Sequence, residues 1–94
     1  MLFRSESKVF ANNYPNPFKD ATTVRYILDA PTDVNISVFD HSGRLVEMLI
    51  DQTYDAGTYE VRFDSANLPA GLYFVKVATN GGKDVQVLKI SKIL

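Results

Sequence analysis

Ala70-Gly71-Leu72-Tyr73-Phe74-Val75-Lys76-Val77 places Tyr73, Val75 and Val77 on one side of an extended chain and Leu72, Phe74 and Lys76 on the other. A period of two belongs to a β-strand, because successive side chains point to opposite faces of a sheet. The same reading applies upstream, to Val24, Tyr26 and Leu28, to Val34, Ile36 and Val38, and to Tyr59, Val61 and Phe63. Each run sets apolar residues on one face and mostly polar ones on the other, as in a half-buried antiparallel strand. Phe74 and Ile27 interrupt the polar faces, so those two strands are expected to be covered on both sides or to carry an exposed apolar patch.

Turn chemistry falls between these runs. Ala30-Pro31-Thr32-Asp33, Asp40-His41-Ser42-Gly43 and Asn80-Gly81-Gly82 separate strands, and the last is the strongest hairpin signal. It should lead into a final strand of about Lys83 to Lys89. Leu45, Val46, Leu49 and Ile50 have a helical spacing, but the stretch is short and lies between strands, so it is read as a strand. Ser65 to Leu68 is expected as a short turn before Pro69. Some part of Lys8 to Phe18 supplies a seventh strand. Pro15 and Pro17 have no N–H, which makes Asn12 to Phe18 an edge strand or a polyproline-like lead-in. The expected fold is all-β, an immunoglobulin-like antiparallel β-sandwich of about seven strands over residues 12–94, with 1–11 as lead-in.

The opening stretch has an echo. Ala56-Gly57-Thr58-Tyr59-Glu60-Val61-Arg62-Phe63 shares its pattern of Ala-Gly-x-Tyr-x-Val-basic-apolar. Two copies are too few for a solenoid. The physical reading is that both strands begin alike, with a glycine for a tight corner and a tyrosine to plug the end of the sandwich. Tyr73 is the better candidate for a tyrosine corner, in which the hydroxyl bonds back to the chain.

Composition narrows the function. Hydrophobic residues make up 46% of the 94 and charged residues 22%, the balance of a single globular domain. The formal charge is −1 with the two signs interspersed, which argues against a nucleic-acid partner. The absence of cysteine excludes disulfides, thiolate metal sites and a cysteine nucleophile. No run approaches the roughly 20 apolar residues of a membrane span, and no signal-peptide core is seen.

Nor do the residues assemble a reaction centre. Asp40, His41 and Ser42 are adjacent in one turn, whereas a triad converges from separate segments. Asp33, Asp40 and Asp64 lie at strand ends and Asp51 and Asp55 flank a loop, with no calcium-loop array. Glu6, Glu47 and Glu60 form no glycosidase dyad. Gly81-Gly82 precedes no helix, so it is a hairpin and not a phosphate loop. Tyr54 alone among the tyrosines is expected free for sugar stacking. The chain is read as non-catalytic, with no cofactor and no metal.

Asn13-Tyr14-Pro15-Asn16-Pro17-Phe18, Thr22 to Leu28, Val34 to Asp40 with Gly43, Ala56-Gly57, Leu68-Pro69-Ala70-Gly71-Leu72-Tyr73 and the closing Leu88-Lys89-Ile90 carry a family resemblance. Together they resemble the type A C-terminal sorting domain of the type IX (Por) secretion system of Bacteroidetes and relatives. They also resemble the overlapping immunoglobulin-like family related to the flagellar hook-capping protein. The resemblance implies a seven-stranded sandwich at the end of a secreted cargo, recognised by outer-membrane secretion machinery and removed by a sortase-like protease. The cargo would be released to the medium or held at the cell surface after passing through the periplasm. It further implies recognition near Lys83, Lys89 and Lys92 and the Gly71-Leu72-Tyr73 corner, with Pro15, Asn16 and Pro17 marking the start of the domain. A monomer is expected. Two other readings stand beside sorting: a structural or adhesive immunoglobulin-like module, and a carbohydrate-binding accessory module. The latter requires a row of exposed aromatics on one sheet face.

Overall fold

The alternating runs pair into two antiparallel sheets in the computed structural model, which describes residues 9–94. The strands in chain order are β1 (Val9–Tyr14), β2 (Ala21–Leu28), β3 (Thr32–Asp40), β4 (Leu45–Tyr54), β5 (Gly57–Asp64), β6 (Gly71–Thr79) and β7 (Asp84–Lys92). One sheet has the order β1-β2-β5 and the other β4-β3-β6-β7. The inward parity of each strand builds the core: Val24, Tyr26 and Leu28 and Phe63 from the first sheet face Val34, Ile36, Val38, Tyr73, Val75, Val77 and Ile90 from the second. This is the expected sandwich of seven strands.

β1 is the expected edge strand, but it begins at Val9, pairing with Leu28, three residues ahead of the Asn12 start. Residues 1–8 of the expected lead-in, with Lys8 and Glu6, lie outside the described residues. The final strand also runs further than expected, to Lys92, because Gly71 to Thr79 supplies nine partners for it. Lys83 falls in the turn before it.

The stretch with helical spacing is a strand with two bulges. Ile36 faces Ile50 but Ser37 faces Met48, and Val38 faces Glu47 but Phe39 faces Leu45. Leu49 and Val46 are thus extra residues, and each reverses the parity of the strand beyond it. The reversals let Val46, Leu49 and Ile50 all pack against the core while Leu45 and Met48 are exposed.

The echoed corners close alike. Tyr73 donates its hydroxyl to the Pro69 carbonyl at 2.6 Å, and Tyr59 donates to the Asp55 carbonyl at 2.8 Å, both four residues upstream. Gly71 and Gly57 stand at φ 147° and 154°, a region that favours glycine. Sequence reasoning preferred Tyr73 for this role, and Tyr59 does the same.

Tyr54 is not free, contrary to expectation. β4 extends to it, so it sits opposite Thr32 within the sheet and joins Tyr26 and Tyr59 in a packed cluster, with ring centroids 4.6 to 5.9 Å apart. The tyrosine that faces solvent is Tyr14, whose hydroxyl donates to Glu60 at 2.6 Å.

Candidate recognition surface

Pro15-Asn16-Pro17-Phe18 leaves the first sheet and crosses to the free edge of β7. There Phe18 N–H donates to Ser91 O at 2.9 Å and Ile93 N–H donates to Phe18 O at 2.8 Å, a short parallel pairing. The Asn16 amide continues it. Its Nδ2 donates to Lys89 O at 3.1 Å and its Oδ1 accepts from Ser91 N–H at 3.0 Å, so one side chain imitates a peptide unit. The Phe18 ring is buried and meets Phe63 edge-on at 6.2 Å, which fastens the crossing to the core. Thr22 Oγ1 donates to Pro15 O at 2.9 Å and ties the start of the crossing to β2.

A second stitch lies further up the same side. Gln86, on the inward parity of β7, reaches the opposite sheet: Ala11 N–H donates to its Oε1 at 3.1 Å and its Nε2 donates to Ala11 O at 2.9 Å. Sequence reasoning missed Gln86. The available signal was a polar residue on the parity that Leu88 and Ile90 use for the core.

Most of the residues expected at a recognition site converge here. Gly71 pairs with Lys92, Leu72 with Ser91 and Tyr73 with Ile90, next to the Asn16 and Phe18 contacts. Pro15, Asn16, Pro17, Gly71, Leu72, Tyr73, Lys89 and Lys92 therefore share one end of the sandwich. Lys92 is buried and Lys89 exposed. Lys83 stands apart, roughly 30 Å away along the extended chain. Beside this end is a groove of about 410 Å³ between the β3–β4 turn and the loop before β6, lined by Arg44, Leu45, Leu68, Pro69 and Leu72 among others.

The polar turns are occupied by their own backbone. Asp40 Oδ1 accepts from Ser42 N–H, Ser42 Oγ and Arg44 N–H at 2.6 to 3.0 Å. The Ser42 hydroxyl is the main reason that the Asp40 carboxyl is held down at about 2, helped by the Arg44 N–H. Ser42 thus donates to the aspartate directly and no histidine stands between them. Asp33 accepts from Gly81 N–H through both oxygens at 3.0 Å, and Asp64 accepts from Ala66 N–H at 3.1 Å. The amide of the suspected phosphate loop is therefore already matched to a carboxylate. Among the described residues, no group of three or more His, Cys, Asp or Glu is placed to hold a metal ion, and no helix is long and apolar enough to cross a membrane.

Two antiparallel sheets closed on one side by an N-terminal segment lying parallel to the last strand define an immunoglobulin-like sandwich module with a clasped final strand. The family is shown by comparison: the chain belongs to the secretion system C-terminal sorting domains, whose family model matches residues 12–91. It is a sorting module, directing a fused cargo through type IX secretion to the outside of the cell. The fold is also similar to part of a crystal structure of dimeric latent PorU from Porphyromonas gingivalis, with a TM-score of 0.77 at 16% identity. That match covers 99% of this chain and 10% of the PorU chain. No curated protein matches the sequence.

Proposed function

We propose that the sorting signal is read from the folded sandwich, at the end where the Pro15 to Phe18 crossing clasps β7. The observation that carries this is the Asn16 amide bonded to Lys89 O and Ser91 N–H, because it brings the opening motif and the closing strand into one surface. Gly71, Leu72 and Tyr73 form the neighbouring strand of that surface and Lys89 gives it exposed positive charge. The outer-membrane secretion machinery recognises this surface after the fused protein reaches the periplasm. A sortase-like protease then cuts in the chain preceding β1. The module itself holds no reacting group, cofactor or metal, and acts as a monomer.

The test is a secretion assay with residues 1–94 fused behind a periplasm-targeted fluorescent protein, in hosts with and without a working type IX translocon. Reporter outside the cell only with the translocon is the expected result, and N16A should cut export while leaving the purified domain folded. Reporter retained in the periplasm of a translocon-bearing host overturns the assignment. Export of N16A at the unsubstituted level removes the clasp from the recognition event.

A further inference from the structure

The described residues give the sandwich four strand edges, and three of them are guarded against further pairing. β4 carries its two bulges, which twist an edge away from an incoming strand. β5 carries exposed Thr58, Glu60, Arg62 and Asp64. The outward N–H and C=O of Ala11 on β1 are taken by Gln86. On β7 the guard is partial. The groups that meet Asn16 and Phe18 are Lys89 O, Ser91 N–H, Ser91 O and Ile93 N–H, so odd-numbered residues point their backbone to the open side. By the same alternation Val85 and Val87 point theirs outward too. Among the described residues no strand pairs with that side of β7, which ends its sheet.

The side chains along this half are as specific as the backbone. Val85 and Val87 are 49% and 56% exposed on the outer face. Exposed Lys83 and Lys89 bracket them, and exposed Lys76 lies opposite Val87 on β6. The outer positions of β6 and β7 hold no acidic residue. An added strand running along this edge meets lysine, valine, valine, lysine at every second position. Its matching residues are acidic, apolar, apolar, acidic. A second copy of this chain is disfavoured, because it would bring the same lysines together.

We infer that the Lys83–Lys89 half of β7 is a docking edge for a short extended segment of the secretion receptor, patterned Glu-x-Val-x-Val-x-Glu or its chemical equivalent. The clasp at Lys89 O sets its length, since a longer strand would collide with Asn16. This rests on the sorting reading only for which protein supplies the strand, and the edge itself is tested separately from export.

The experiment titrates the isotope-labelled 94-residue chain with the peptide Glu-Thr-Val-Thr-Val-Thr-Glu and with its counterpart bearing lysine at both ends, followed by amide NMR. The acidic peptide should shift and protect the Val85 and Val87 amides and bind about tenfold or more tightly than the lysine peptide at low salt. V87P should abolish its binding without unfolding the domain, because the amide removed faces away from β6. Should V87P fold poorly, V87K, which keeps the amide, should weaken binding instead. Equal affinities, no binding of either peptide, shifts mapping to β4 or β5, or self-association through β7 would each overturn the proposal. In the export assay, V87P exported at the unsubstituted level would also overturn it while leaving the sorting reading intact. Failure of the unsubstituted fusion would fall on the sorting reading alone.

Discussion

Asn16 does with one side chain what a strand does with a peptide bond, and its chemistry fixes what each substitution should cost. N16A removes two hydrogen bonds at an exposed edge, an expected loss of about 1–3 kcal/mol. N16D keeps the acceptor for Ser91 N–H but sets a carboxylate oxygen against Lys89 O. It should therefore destabilise at least as much as N16A, as measured by urea unfolding. Asp40 gives a residue-scale prediction in pH. Its folded value of about 2 lies below the ordinary 3.8, so the unfolded chain takes up the proton first. The stability it contributes is fully present above about pH 4 and is lost as pH falls toward about 2. D40N should flatten that part of the stability profile and leave the profile above pH 5 unchanged in slope. Asp40 and its turn were legible in the sequence, because Asp, Ser and Gly fill turns for local reasons. Asn16 was legible only through the family resemblance, since its two partners lie more than 70 residues away.

At the scale of elements, the sequence speaks clearly where one parity runs unbroken and poorly where it reverses. β2, β3, β5 and β6 keep one face inward throughout, and their cores were readable residue by residue. β4 does not, because Val46 and Leu49 are inserted at bulges, and two reversals of a period-two pattern imitate a helical spacing. Bulges depend on the partner strand, which a single run of sequence does not display. β7 is ambiguous for a different reason. Val85 and Val87 are apolar on the outer parity while Leu88 and Ile90 are apolar on the inner one, so neither face stands out. The bulged register makes a sharp prediction. L45K and M48K should change stability by no more than about 0.5 kcal/mol, being exposed. V46K and L49K should each cost more than about 2 kcal/mol, because a charge would replace a side chain packed on the core. A helix through residues 45–50 would have placed Leu45 with Val46 and Leu49 on the buried side.

At the scale of the whole molecule, the two sheets are joined differently on their two sides. β4 and β5 are linked by a tight turn but scarcely touch along their length, whereas β1, the crossing at Phe18 and β7 are stitched by side chains and backbone together. Phe18 is the residue on which that closure turns, being 1% exposed, packed on Phe63 and bonded through its backbone to both Ser91 and Ile93. F18A should cost about 3–5 kcal/mol, a large share of the stability of a domain this size. I36A, equally buried on the central strand β3, should cost about 2–5 kcal/mol. The two should part company in what the native state then exposes. I36A leaves the clasp in place, whereas F18A loosens the crossing and frees Lys89 O, Ser91 and Ile93 to pair with another chain. Hydrogen exchange in the native state should accordingly show Ser91 and Ile93 amides protected in the unsubstituted chain and in I36A but fast in F18A, with F18A alone forming β-rich aggregates at matched stability. Equal protection of those amides in both variants would mean that β7 keeps its edge closed without the aromatic anchor, and that the Asn16 amide suffices to hold it.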